Sequence, residues 1–524
     1  MLFDTSPIRT FSFSGSSPSG DRLLQLTFWS CVLLALFLQL AASPPLAHAQ
    51  DDRRALAAAI DDVLDGDDLR HAWWGVHVVD AETGDLLYAR NPQRPFMPAS
   101  NVKMFTTAGA LLLFGPEHTF DTSLYAVGDI DDGILRGSLV VQAGGDPTIG
   151  GRFFEDNPVH LFDAWYDALS EAGISEVRGE LLADLSFFDT TPLGQGWAWD
   201  GPPARYSAEV GPLSFRENTF ELRYRGGQLG GPATLSWQPS TAYIQIQNES
   251  RTVSQNSGFR HRVDREKENN MFVVRSQVPT GNTISRPVSV HNPALYFLHE
   301  FRERLQERGL HISREMRTQS EPVLSLSGAT SNHIHTHASP PLQKILDEVM
   351  VESQNLYAEA VIRSIGAEHH IGNNNRDRGS AAAGAAAILD TLAAIGTDTS
   401  NVRLVDGSGL SRRNLATPES LTSLLVAMDR SAPGDVREAF RASFPTAGMN
   451  GTLRYRMRQG AASGNVRAKT GTLSHASALS GYVTTLSGRN IAFSVVANHY
   501  TVNSSHIRRA QDSIMHILAG YRGR

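Results

Sequence analysis

Apolar and polar positions along this chain follow three rhythms. "DDRRALAAAIDDVL" (51–64) repeats apolar residues at helical spacing and predicts an amphipathic helix. "AWWGVHVVDAETGDLLYARNP" (72–92) holds two β-type runs broken at Glu82 to Asp85, which predicts two strands and a turn. "PASNVKMFTTAGALLLFG" (98–115) predicts a helix beginning near Ser100. Near the other end, "ALSGYVTTLSGRNIAFSVVANHY" (478–500) predicts two more strands and "SSHIRRAQDSIMHILAGY" (504–521) a closing helix, so both ends build one α/β unit. From about Thr119 to Ser289 the rhythm changes to short β-like runs separated by Gly, Pro, Asn and Ser: "ILRGSLVVQAGGDPTIGG", "NTFELRYRG", "ATLSWQPST", "AYIQIQNES" and "NMFVVRSQV". Only "VHLFDAWYDALSEAG" reads as helical there. The expected organisation is a discontinuous outer domain, 50–118 with 290–524, interrupted by a β-rich insertion at 119–289. The chain shows no internal repeat and no low-complexity linker.

The first residues carry a different signal. "LLQLTFWSCVLLALFLQL" (23–40) is apolar and preceded by Arg9 and Arg22, and small residues stand at Ala47 and Ala49. This pattern predicts a signal peptide over 1–49, cleaved after Ala49, and hence export to a periplasm or cell-wall space; an uncleaved anchor is the alternative. Cys31, the single cysteine, falls inside that stretch, so the mature chain would have neither disulfides nor thiol chemistry nor a Cys-based metal site. A chain of 524 residues with 41% apolar and 19% charged positions suits a globular protein of about two or three domains. Its formal charge of -7, with no basic run, argues against nucleic acid as a partner.

The candidate chemistry begins at Lys103. The chain uses four lysines (Lys103, Lys267, Lys344, Lys469) and draws the rest of its positive charge from Arg. In a helix Ser100 and Lys103 share a face within side-chain reach. A serine hydroxyl is a weak nucleophile until a base takes its proton. Lysine serves only if desolvation or a second positive charge brings it well below about 10.4, and arginine cannot serve at all. Roughly two Ser-x-x-Lys matches are expected by chance in such a chain, and an ordinary solvated lysine is the alternative. Two further triplets change that balance. "VESQNLYAEAVI" supplies Ser353-Gln354-Asn355 ahead of a helical run, where a helix cap is the alternative. "VRAKTGTLSHASALSGYV" supplies Lys469-Thr470-Gly471-Thr472 leading into a strand, where a simple turn is the alternative. The order Ser-x-x-Lys, Ser-x-Asn, Lys-Thr-Gly is a signature of penicillin-binding proteins and class A β-lactamases.

With these motifs the chain resembles the serine DD-peptidases of the low-molecular-mass penicillin-binding protein type. Within them it is most similar to the class C group of D-alanyl-D-alanine carboxypeptidases and endopeptidases (penicillin-binding protein 4 type, peptidase family S13). The likeness covers nearly all of the mature chain and includes "GGDPTIG" (144–150), "GWAWDG" (196–201), "VDGSGLSRRN" (405–414) and "AGMNGTLRYRM" (447–457). About 250 residues lie between Lys103 and Ser353, far more than in β-lactamases, and the family carries inserted domains there. The resemblance implies an α+β fold: a serine β-lactamase/DD-peptidase-like domain, with an antiparallel sheet between helical layers, interrupted by one or two smaller β-rich domains.

It also implies roles by residue. Ser100 attacks the carbonyl of a D-Ala-D-Ala bond, or of a cross-link with the same acyl donor, to give an ester. Lys103 is the base, Ser353 passes the proton to the leaving amine, and Asn355 holds Lys103 and the substrate amide. Lys469 keeps the potential positive, lowering Lys103 and attracting the terminal carboxylate. Thr470, Gly471 and Thr472 form the strip that binds this carboxylate, and the N–H groups of Ser100 and Thr472 form the oxyanion hole. The partners implied are peptidoglycan stem peptides, with β-lactams as covalent inhibitors and no metal or organic cofactor.

A β-lactamase or esterase is a second reading. Ser353 in place of a tyrosine and the lack of a Glu-x-x-Leu-Asn string oppose it. A non-catalytic β-lactam sensor is a third, opposed by the lack of a second long apolar run. Three smaller features stand apart. His333, His335 and His337 alternate, so a strand would put all three on one face, as a polar edge strand or a metal site. Asp406 suits a turn or the rim of the active site. Asp200 is a candidate for meeting a free amino group of the substrate from the inserted domain.

Overall fold

The computed structural model describes residues 12, 46–198, 200–201, 203–326, 330–369 and 378–523. The apolar stretch read as a signal peptide lies outside the described residues, and among those described no helix is long and apolar enough to cross a membrane. Residues Leu56–Arg522 form one compact unit; of the remainder, 46–55 are the first turns of helix α1 (Leu46–Leu64), which contains the expected cleavage point.

The outer domain is built on five antiparallel strands: β1 (Trp73–Asp80), β2 (Leu86–Arg90), β3 (Arg467–Leu473), β4 (Ala476–Thr484) and β5 (Asn490–Asn498), in the order β3-β4-β5-β1-β2. Both chain ends therefore meet in one sheet, because β1 pairs with β5 along its whole length. β4 and β5 are buried nearly throughout, as strands covered on both faces must be. On one face Trp74, Val76, Val78, Phe493 and Val495 pack against Leu56, Ile60 and Leu64 of α1 and against the closing helix. The spacing of Leu56, Ile60 and Leu64 at every fourth position is the amphipathic stripe legible in the sequence. The other face, with Val79, Ala478, Ala492 and Val496, meets a layer of helices. Among the described residues of the outer domain, the helices after α1 are α2 (Val102–Phe114), α3 (Leu342–Val351), α4 (Asn355–Glu368), α5 (Ala381–Ala394), α6 (Pro418–Ser431) and α7 (Gly434–Ala442), with the closing α8 (Ser504–Gly520) on the face of α1. Residues 102–111 of α2 are all buried, as expected of a helix apolar on every side in the middle of that layer.

The inserted region has its own core. A mixed seven-stranded sheet runs in the order His311–Ile312, Glu176–Val177, Ile134–Gln142, Asp121–Asp131, Ser331–Ala338, with Leu181–Asp184 joining Ile134–Gln142 to Met316–Gln319. A three-stranded antiparallel sheet (Thr283–Ser289, Thr219–Arg225, Thr234–Gln238) and two smaller ones complete it. The predicted helix is His160–Glu171, and it packs on Pro293–Glu307 through an aromatic cluster in which the Phe162 ring lies 5.1, 5.0 and 5.3 Å from those of Phe215, Phe297 and Phe301.

Two expectations are corrected here. The core of the inserted region does not stop at Ser289: helix Pro293–Glu307 packs into it, and Ser331–Ala338 pairs with Asp121–Asp131, so its packing and pairing continue to Ala338. Helical periodicity shows that a segment has an apolar face but not which core receives it. Nor do the three histidines share a face. Ser331–Ala338 is an edge strand with a bulge between His333 and His335, which turns His333 to the side of Thr336, 2.8 Å away, and leaves His335 and His337 on the other side.

Phe162→Ala tests the inserted core. Emptying the centre of the aromatic cluster is expected to destabilise the inserted region by about 3–5 kcal/mol, measured as a shift of its denaturant-unfolding midpoint.

Candidate active site

The head of α2 is preceded by a single 3-10 turn, Ala99–Asn101, in which Ala99 takes a left-handed φ of 48° and Ser100 is half-buried. Two glycines allow its neighbours to press against this turn. A Cβ on Gly409, itself at φ 81°, would lie 2.0 Å from the Ala99 carbonyl oxygen, and one on Gly471 would lie 2.6 Å from that of Pro98 and 3.1 Å from the Ser100 nitrogen. Asn101 ties the turn to the sheet edge by donating from Nδ2 to the Lys469 carbonyl oxygen at 2.9 Å. Gly471, expected in the substrate strip, is thus required for close packing behind Ser100.

Lys103 is fully buried one turn into the helix. Its Nζ donates to Ser100 Oγ at 3.2 Å, Asn355 Oδ1 at 2.7 Å and the Ser408 carbonyl oxygen at 2.5 Å. Burial lowers its pKa to about 7, against the upward pull of Asp406 and Glu359. Lys469, also fully buried on edge strand β3, donates to Ser353 Oγ at 2.8 Å and to the Thr470 carbonyl oxygen at 3.0 Å. Burial, and after it the charge of Lys103, holds Lys469 well below the usual lysine range. Desolvation is thus the largest influence on both amines.

Ser353 stands between α3 and α4 at φ 60°. Gln354 caps α4, its side-chain oxygen accepting from Leu356 N at 3.1 Å. Asn355 points Oδ1 at Lys103 and donates from Nδ2 to the Tyr206 carbonyl oxygen at 2.8 Å, so one amide joins the base to the inserted region. Thr470 donates its hydroxyl to Thr452 Oγ1 at 2.9 Å. Ser100, Asn355, Thr472 and Asp200 line one cavity of about 480 Å³, which Trp197 and Tyr206 of the inserted region and Arg412 of the 405–414 loop also border. Lys103, Ser353 and Lys469 join this set through their hydrogen bonds to Ser100, Asn355 and one another, Thr470 lies beside them on the same strand as Lys469, and Gly471 packs behind Ser100.

Two acidic residues outside the three triplets brace this arrangement. Asp406 is fully buried and accepts from Gly409 N (2.8 Å), Ser411 N (2.6 Å), Asn414 Nδ2 (2.7 Å) and Trp197 Nε1 (2.9 Å), so it holds the loop from inside and is not part of the rim. Glu359 is buried beside it, accepts from Ser408 N at 2.8 Å, and is pushed up by burial and by Asp406. Its place four residues after Asn355, on the same face of α4, was the signal available. Among the described residues, a group of potential metal ligands within 4.8 Å of one another is His299, Glu300 and Glu303, on the inserted helix and not in this cavity.

The model of the D-Ala-D-Ala carboxypeptidase 3 (S13) family matches residues 56–520. The chain belongs to that family. It is therefore a serine-type carboxypeptidase, a hydrolase. It is 33% identical over 503 residues to a D-alanyl-D-alanine carboxypeptidase of Actinomadura sp. (strain R39), covering 92% of this chain and 88% of that protein. It is 25% identical to D-alanyl-D-alanine carboxypeptidase DacB of Haemophilus influenzae over 77% of this chain and 81% of the relative. The crystal structure of penicillin binding protein 4 from H. influenzae superposes with a TM-score of 0.77 at 22% identity, over 88% of this chain and 99% of that one, and so shares the α+β fold.

Burial of Lys103 has a thermodynamic signature. Its pKa lies near 7 in the folded chain and at 10.5 in the reference state, so over that range the unfolded chain binds a proton that the folded chain does not. Stability gains a contribution that rises with pH through this window and is absent below it. Lys103→Met is expected to remove roughly 1.4 kcal/mol per pH unit of that slope, measured by urea unfolding between about pH 7.5 and 9.5. Equal slopes in parent and variant would refute the account.

Proposed function

We propose that this protein is an exported serine DD-peptidase that cleaves D-Ala-D-Ala termini, D-Ala-containing cross-links of peptidoglycan, or both. The observation that carries the reading is the amine of Lys103, dry, lowered to about 7 and 3.2 Å from Ser100 Oγ. A base with a pKa near the working pH is half-deprotonated there and still strong enough to take the serine proton.

In this reading Ser100 Oγ attacks the carbonyl carbon of the penultimate D-Ala as Lys103 Nζ takes its proton. The N–H groups of Ser100 and Thr472 receive the developing oxyanion. The C–N bond breaks as a proton returns to the leaving nitrogen through Ser353, which already accepts from Lys469. Water then attacks the ester, again with Lys103 as base, and releases the shortened peptide. Lys469 and the hydroxyls of Thr470 and Thr472 meet the terminal carboxylate; Thr452 aims Thr470. A β-lactam is an amide whose leaving group stays tethered, so the same attack leaves a persistent ester; the H. influenzae relative has been crystallised with a novel β-lactam. The side-chain end of the stem peptide enters the cavity beside Trp197, where Asp200 faces a free amine and Arg412 adds a cation for a neighbouring carboxylate.

Intact-mass analysis during incubation with penicillin tests the reading. One persistent adduct is expected on the parent and none on Ser100→Ala; an unlabelled parent beside surviving drug would overturn it, and rapid hydrolysis of the drug would point to a β-lactamase. For Asp200→Asn, kcat/KM is expected to fall about tenfold on a peptide with a free side-chain amine and to stay unchanged when that amine is acetylated. Equal loss on both peptides would remove Asp200 from amine recognition.

A further inference from the structure

Glu217 lies in the inserted region, outside every motif, yet its carboxylate meets the middle motif of the active site. It is buried, and it accepts from Arg152 Nε at 2.6 Å, Arg205 Nη2 at 2.9 Å, Gln354 Nε2 at 2.8 Å and the Tyr357 hydroxyl at 3.2 Å. Arg152 also pairs with Glu348 of α3, so the cluster ties both helices that flank Ser353 to the inserted region. The turn that presents Glu217 is strained: Arg216, Glu217 and Asn218 all take left-handed φ values of 50°, 56° and 56°. Such a turn persists only when its surroundings over-determine it. Here Arg216 N donates to the Ile149 carbonyl oxygen at 2.9 Å, and Asn218 Nδ2 donates to that of Glu209 at 2.8 Å. Ile149 belongs to the "GGDPTIG" string, which no step of the reaction uses.

On the other side, Gln354 is engaged at both ends. Its oxygen caps α4 through Leu356 N while its Nε2 is held by Glu217. Ser353 and Asn355, on either side of it, face Lys469 and Lys103.

We propose that Glu217 is a positioning residue through which the inserted region sets the Ser353–Asn355 turn, with Gln354 as the arm and the GGDPTIG loop as the anchor. The proposal rests on the DD-peptidase reading and adds a part to it. Removing the carboxylate leaves every reacting group in place but frees the turn that aligns two of them. Misalignment then appears in the rate of acylation and not in the first encounter with the drug.

The test is penicillin acylation of the full-length chain under single-turnover conditions, which separates the binding constant from the limiting rate. In Glu217→Gln an amide turned either way sets its N–H2 against Arg152, which donates to both carboxylate oxygens. The limiting rate is expected to fall roughly ten- to a hundred-fold, with binding of the drug within about twofold of the parent. Gln354→Glu opposes two carboxylates and is expected to lose at least as much. Combining it with Glu217→Gln restores an amide–carboxylate pair while the clash with Arg152 remains, and is expected to lose clearly less rate than the two single losses combined. Should Glu217→Gln not fold, Gln354→Ala removes only the arm and is expected to show the same loss of rate with unchanged binding. Parent-like acylation by Glu217→Gln or Gln354→Ala, or losses in the double variant that simply multiply, would overturn the proposal while leaving the DD-peptidase reading intact. A parent that is not acylated at all would overturn both.

Discussion

The structure is organised around one ammonium group deprived of water. An isolated charge in a protein interior is costly, and the protein answers by lowering the pKa of Lys103 and by surrounding its amine with a carbonyl, an amide and a hydroxyl oxygen. Those three acceptors come from different parts of the fold. Ser408 sits on a loop braced by Asp406 and Glu359, Asn355 on the first turn of α4, and Ser100 on the strained turn ahead of α2. The apolar body of α2 keeps the amine dry, so the layer of helices is part of the chemistry as well as of the core. Asp406 and Glu359 oppose the effect of burial and keep the pKa near neutrality.

A second amine, Lys469, raises the stakes of this arrangement. Two lysines on facing elements would repel if both were charged and solvent could not screen them. The structure places each on a separate serine, Lys103 on Ser100 and Lys469 on Ser353, and so keeps two lysine–serine pairs side by side. The close approach needed for this depends on the absence of side chains at Gly409 and Gly471. The inserted region completes the cleft. Trp197 reaches Asp406, the Gln195 carbonyl oxygen accepts from Ser411, and the Tyr206 carbonyl oxygen accepts from Asn355. An insertion that looks peripheral in the sequence therefore borders the cavity that Ser100 lines.

Most of the outer domain was legible because its signals are local. The hairpin at 73–90, the stripe of α1, the buried runs of β4 and β5 and the closing helix each announce themselves within a window of ten to twenty residues. The end of the insertion was not, since helix Pro293–Glu307 has the same pattern whichever core it joins. The bulge in Ser331–Ala338 broke an alternation that reads as regular. Gly471 stands in a triplet that suggests substrate contact, yet its missing Cβ makes room for Ser100. Glu217 carries no local signal at all.

The sequence alone determined the chemical inventory: which serines, lysines and amides exist, their order, the rhythm of the elements that carry them, and the choice of lysine where a removable proton is needed. Only the tertiary structure decided that these groups meet and that Lys103 is dry. The acceptors that hold its amine come from residues 252 and 305 positions away. Desolvation and close approach belong to a residue's surroundings and not to its spacing, and those surroundings exist only once the sheet and the helical layer have closed around it.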